Sequence, residues 1–161
     1  MPDAPIAFEG IAKPLLVAHA LVAVVLVGSV GHLVWECVRY LRGKPRNVWL
    51  ATVHARVGFA LYALVFALGL MAYPTYRVRI RHDVFDRTMP WASNWFDVKE
   101  MFAAFGLAAF AALFAMSFAI RPREEADRAM LPTFAALGLI CGGIVVMSSV
   151  VGLVLVTYRS L

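Results

Sequence analysis

Residues 14–36, 48–73, 98–120 and 131–157 form four almost uninterrupted apolar runs, separated by short stretches of arginine, acids and turn residues. Each run supplies the roughly 20 apolar residues that a helix needs to cross the hydrocarbon core of a bilayer. None shows the in-out alternation of a barrel strand, and backbone groups in lipid must be satisfied within helices or closed barrels. The pattern predicts an all-α integral membrane protein: a single domain over residues 1–161, with four transmembrane helices in an up-down-up-down bundle. The remaining segment, 74–97, is expected as an interfacial loop between helices 2 and 3. The first run is too long for a signal peptide, lacks a basic region before it and has no small-x-small cleavage site after it, so it reads as a retained span.

Composition agrees with the hydropathy pattern. Only 16% of the 161 residues are charged and the mean hydropathy is +0.78, whereas soluble domains carry roughly a quarter charged residues. A net charge of +5 would suggest nucleic acid in a soluble protein. Here the basic residues lie in short loops beside hydrocarbon, so anionic lipid headgroups are the nearer partner and no nucleic acid is implied.

The stretch RYLRGKPRN gathers Arg39, Arg42, Lys44 and Arg46 without an acid, and Gly43 and Pro45 make it a tight turn between helices 1 and 2. Helices 3 and 4 are joined by RPREEADRAM, where Glu124 and Arg128 are spaced to pair. The basic cluster after helix 1 puts the 1-2 and 3-4 loops on the cytoplasmic side of a bacterial-type inner membrane. We call that side face B, and the side carrying the termini and residues 74–97 face A. Trp35, Trp49, Trp91 and Trp95 all fall near predicted span ends, the headgroup position that indole prefers.

Cys37 and Cys141 are expected at different depths and unbridged. In helix 4, Gly138-x-x-x-Gly142 and Ser148-x-x-x-Gly152 allow close backbone approach, either within the bundle or in a homo-oligomer through helix 4.

Within residues 74–97, Tyr73-Pro74 is expected to end helix 2. Arg77-Val-Arg-Ile-Arg81 alternates like an extended strand on the membrane surface, and Asn94-x-x-Asp97 or Asp97-x-x-Glu100 offers a cap for helix 3. Arg77, Arg79 and Arg81, with Trp91 and Trp95, form a candidate surface for lipid or a protein partner. The simpler alternative pairs the arginines with Asp83 and Asp86.

Ionisable residues inside a span cost roughly 2.5–3.5 kcal/mol at its centre on insertion scales, so each is a candidate for function. His32 and Glu36 near the end of helix 1, and His54 and Arg56 near the start of helix 2, fall at similar depth below face B. Two histidines on facing helices are the arrangement that holds a b-type haem. Gly28 and Gly58 each lie one turn deeper than a histidine on its own face and would make room for the macrocycle, while Arg56 would serve the propionates. Four helices with histidines near one face resemble, in architecture, small cytochrome b membrane anchors.

Two other readings use the same residues: an electrostatic knot of Glu36, His32 and Arg56 that fixes packing, or a bare metal site of His32, His54 and Glu36. A second, weaker cluster comprises His19, Lys99 and Glu100 near face A. It is open to a quinone head group, or to a second haem if His82 supplied a ligand. At 100° per residue, His19 and His32 point about 140° apart and should meet different neighbours.

No phosphate loop, H-E-x-x-H motif, paired CxxC or nucleophile elbow is present, which leaves hydrolases and nucleotide-driven machines unsupported. The leading expectation is a protein binding haem b through His32 and His54 and passing electrons between quinone and a partner redox protein, an electron-transfer component rather than a self-standing enzyme. The alternatives are a cofactor-free structural or docking subunit of a larger membrane complex, and metal or proton transport.

Overall fold

The computed structural model describes residues 6–44, 48–120 and 129–158. Four long helices account for most of them: α1 (Ala12–Leu41), α2 (Val48–Tyr76), α3 (Pro90–Ala119) and α4 (Leu131–Tyr158). All four are long and apolar enough to cross a membrane. No strand occurs among the described residues.

Each helix packs on two neighbours, α1 on α2, α2 on α3, α3 on α4 and α4 on α1, so the bundle closes as a square. Small residues set the close approaches. A Cβ on Gly138 would stand 2.7 Å from Cys37 Sγ, and one on Gly142 would collide with Val34 Cγ2, so both glycines of helix 4 seat α1. Gly106 on α3 accommodates the Tyr62 hydroxyl, which donates a 3.0 Å hydrogen bond to the Ala103 carbonyl. The close-approach motif Gly138-x-x-x-Gly142 is therefore used inside the bundle. Because Cys37 packs on Gly138, one turn from Cys141, the two cysteines are at neighbouring depths and not the separate ones expected. Both are buried free thiols. The expectation failed because α1 runs on to Leu41, five residues beyond the predicted end of its span, which leaves Cys37 well inside the helix.

The end of α1 is built as its sequence suggests. Gly43 takes a left-handed φ of 71°, and the amides of Gly43 and Lys44 donate to the carbonyls of Tyr40 and Arg39. These two bonds form a Schellman motif. Residues 45–47 and 121–128, including Pro45, Arg46 and the expected Glu124–Arg128 pair, lie outside the described residues.

Residues 74–97 depart most from expectation. Pro74 is inside α2 and does not end it. Three residues later the chain widens into a π-helix, Arg77–Phe85, followed by the single turn Asp86–Thr88. Pro74 has no N–H to donate to the preceding turn, and relaxation of the helix register close to such a residue is a familiar response. The alternation of Arg77 to Arg81 therefore does not reflect a strand. In a helix with five-residue hydrogen-bond spacing, Ile80 and Phe85 fall on one side, and both are buried. With Ala92, Val151 and Leu155 they form a second small core beneath face A, separate from the main core around Leu33, Ala55, Phe110 and Cys141. Helix α3 starts at Pro90, in the first turn where proline is favoured, without a side-chain cap. Asn94, Asp97 and Glu100 are consequently interior to the helix, and Trp91 and Trp95 lie in its first two turns.

Candidate functional site

Two polar clusters flank the main core, one toward each face. Near face B, α1 and α2 bring His32 and His54 together with ring centroids 5.1 Å apart and planes inclined by 20°. Ser29 Oγ lies 3.1 Å from His54 Nδ1. The pair is on the outer surface of the bundle: His32 is exposed and His54 half-buried. A Cβ on Gly28 or Gly31 would meet nothing within 4 Å, whereas Gly58 is filled by Phe110 (3.2 Å) and Val30 (3.7 Å). The two glycines expected to flank a macrocycle thus face opposite surroundings, open space outside and a packed ring inside.

A haem held between two axial imidazoles, with metal–nitrogen distances of about 2 Å, keeps the ring centroids roughly 6 Å apart on opposite sides of the macrocycle. At 5.1 Å and nearly parallel, His32 and His54 as placed do not fit that group. Arg56 is also engaged elsewhere. Its Nε donates to Ser117 Oγ (3.0 Å) and its Nη2 to the Ser117 carbonyl (2.8 Å), with the guanidinium 4.1 Å over the Phe118 ring. It thereby joins α2 to the carbonyl end of α3, where the helix dipole favours a cation. Among the described residues no three His, Cys, Asp or Glu side chains come together as a metal-ion group, so Glu36 does not complete a set with the two histidines.

The second cluster, under face A, draws on all four helices. His19 of α1 makes a 2.9 Å hydrogen bond from Nδ1 to the Val65 carbonyl of α2. Because a carbonyl only accepts, Nδ1 carries a proton, and Nε2 takes no part in this bond. The ring lies against Gly69, where a Cβ would stand 3.4 Å from Cε1. Lys99 of α3 is turned inward and not toward the surface: its Nζ is 3.5 Å from the Cβ position of Gly152 on α4. It also lies close to His19 and Glu100. Among the described residues Lys99 has no salt bridge and no hydrogen bond, its one ring contact being Phe96 at 5.9 Å. Beside it, Tyr73 lies close to the Glu100 carboxylate, and the Phe96 ring has those of Tyr73 and Tyr76 as neighbours, at 6.2 and 4.2 Å. The buried hydroxyls of Thr75, Tyr76 and Ser148 have no hydrogen-bond partner among the described residues.

His19, Lys99 and Glu100 are thus brought together, and the sequence reading missed Tyr73, Tyr76 and Ser148. The spacing of Tyr73 and Tyr76 from Phe96 across the 74–97 segment holds no periodicity that would have revealed them. His82, the candidate ligand for a second haem, instead lies on the surface with Nδ1 3.0 Å from Asp83 Oδ1. That hydrogen bond holds the Asp83 carboxyl below its usual range.

The face-A cap is held down by its own charges. Arg81 meets Asp97 through two nitrogens, at 2.7 and 2.9 Å, and Asp86 at 4.0 Å. Burial disfavours the Arg81 charge, but the neighbouring carboxylates outweigh it and hold the guanidinium more firmly protonated than usual. Arg79 bonds Glu9 at 2.9 Å. Two of the three arginines expected at a docking surface are therefore used within the chain, with Asp97 and Glu9 as partners in addition to Asp86. Val78, Trp91 and Trp95 remain exposed.

Comparison with protein-family models, with curated proteins and with solved structures finds no match for this chain.

Proposed function

We propose that the chain is a membrane-embedded component of an electron-transfer assembly that binds the head group of a quinone beneath face A, between His19, Lys99 and Glu100, and works with a redox protein docked on that face. The observation that carries this reading is Lys99, whose amine is turned into the bundle beside Glu100 with no salt bridge or hydrogen bond among the described residues. An ionisable group inside a membrane bundle is costly and marks a site by default. Quinone carbonyl oxygens are pure acceptors and match the three donors of a lysine. The flanking Tyr73, Tyr76 and Phe96 rings suit a flat aromatic head group. Reduction of a quinone takes up protons along with electrons; the electrons would come from the partner, and His19 and Glu100 are the nearest groups able to handle the protons.

In this reading the helices run up-down-up-down. Supporting it, contacts between neighbours pair rising numbers on one helix with falling numbers on the next: His19 with Val65 and Ser29 with His54, then Arg56 with Ser117 and Tyr62 with Ala103. In the same reading face B is in the cytoplasm of an inner-membrane protein and the cap on the opposite side, which the basic turn Arg39 to Lys44 supports.

The test is titration of the protein in lipid nanodiscs with a short-chain quinone, following quenching of its aromatic fluorescence. Saturable quenching that weakens at least about ten-fold in both K99A and H19A is expected, ten-fold being the equivalent of about 1.4 kcal/mol. Absence of saturation, or variants that match the wild type, would overturn the reading. A reduced-minus-oxidised spectrum with sharp b-type bands that vanish in H32A and H54A would replace it with the haem b assignment.

A further inference from the structure

The histidine pair on the outer face of α1 and α2 has no part in the proposed quinone site and carries an independent inference. We propose that His32 and His54 chelate a single borderline divalent transition-metal ion, of the zinc, copper or nickel class, at the face-B boundary of the membrane. A tetrahedral ion bound to two imidazoles at about 2.0–2.1 Å holds their ring centroids about 5 Å apart, and the observed separation is 5.1 Å. The separation suits two ligands on one ion, but the rings as placed are stacked with planes 20° apart, so an imidazole must turn about χ2 to bring both nitrogens to it; His32, exposed at the surface, can make that turn. Imidazole nitrogen selects this class of metal over magnesium or calcium, which prefer oxygen.

Two further features support chelation. Histidines that bind metals characteristically use the other ring nitrogen to hold an outer partner, which fixes the tautomer and aims the ligand atom. Ser29 Oγ at 3.1 Å from His54 Nδ1 is such a partner, and it leaves Nε2 to the ion. Space is the second feature. The surface beside His32 is open, because Gly28 and Gly31 have nothing within 4 Å of their Cβ positions, so water can complete the coordination. The depth allows it: His32 is three residues inward of the exposed Trp35, and His54 five residues inward of the exposed Trp49. At 1.5 Å per residue both lie within about 5–8 Å of the indole belt, in reach of interfacial water.

The experiment is calorimetric titration of the full chain in nanodiscs with Zn²⁺ at pH 7.5, with Mg²⁺ as control. Binding of Zn²⁺ but not Mg²⁺ is expected, at least about ten-fold weaker in H32Q and in H54Q, about ten-fold weaker in S29A, as is usual for loss of an outer partner, and unchanged in H82Q. If H82Q removes the binding while H32Q and H54Q retain it, the ion belongs to the exposed His82–Asp83 pair and the proposal fails. No binding to the wild type overturns it equally. A second measurement avoids dependence on the variants: Zn²⁺ should protect His32 and His54 of the wild type from carbethoxylation, read by mass spectrometry. Equal modification with and without the ion would overturn the assignment. Failure here leaves the quinone reading untouched, since His19 and Lys99 belong to the other face.

Discussion

At the residue scale, two adjacent glycines of α4 make opposite predictions. A Cβ on Gly142 would run into Val34 Cγ2, with Val34 Cβ at 3.8 Å and Val30 Cγ1 at 3.9 Å behind it, while one on Gly143 would meet nothing within 4 Å. Valine is stiff about χ1, so Val34 cannot swing away cheaply, and overpacking of this kind costs about 1–3 kcal/mol. G142A should therefore lower stability by that amount in detergent unfolding. G143A should raise it by up to about 1 kcal/mol, the helix-propensity gain of alanine over glycine. Equal effects at the two positions would mean that α4 is rotated relative to α1. Sequence alone could not separate these residues, or tell the outward Gly28 from the packed Gly58. In a soluble bundle the polar face of each helix fixes its rotation. In lipid the outward face is as apolar as the core and that signal is lost. For the same reason His32 and His54 were matched in depth by counting residues, but their position on the outside of the bundle was not legible.

At the scale of elements, the cap over face A depends on a bidentate pair rather than on apolar burial alone. Arg81 and Asp97 share two contacts, at 2.7 and 2.9 Å, and connect the π-helical segment to α3. Paired charge-assisted bonds are the stronger kind, although partial exposure to solvent limits this one to about 1 kcal/mol. R81A and D97N should each raise the open population of residues 77–88 about five-fold, measured as trypsin cleavage after Arg77, Arg79 and Arg87 or as amide exchange. The double variant should add little to either single one, as expected for partners in one interaction. Unchanged cleavage in both singles would assign the stability of the cap to Ile80 and Phe85 instead. The four long helices were readable because about 20 apolar residues have no other stable form in lipid. The cap was not, because Arg-Val-Arg-Ile-Arg satisfies a two-residue period locally, while the feature that decides its structure is the five-residue interval between Ile80 and Phe85, visible only once both are buried on the same side.

At the scale of the whole molecule, the two polar clusters lie at opposite faces, so membrane orientation decides which compartment each one serves. In the proposed orientation, with the basic turn at Arg39, Arg42 and Lys44 in the cytoplasm, the histidine pair would lie near the cytoplasmic surface and the cap with the Lys99 layer on the other side. The native thiols make this directly measurable: Cys37 is 2% exposed and Cys141 0%, so neither should react appreciably with a maleimide while the protein is folded. Single cysteines introduced as K44C in the face-B turn and V78C on the exposed side of the cap therefore report on a nearly silent background. In intact inner-membrane spheroplasts an impermeant maleimide should label V78C and spare K44C, and a permeant one should label both. The reverse pattern would place the cap in the cytoplasm. A redox partner of the Lys99 layer would then have to be sought there, and the metal proposed at His32 and His54 would come from the outer compartment.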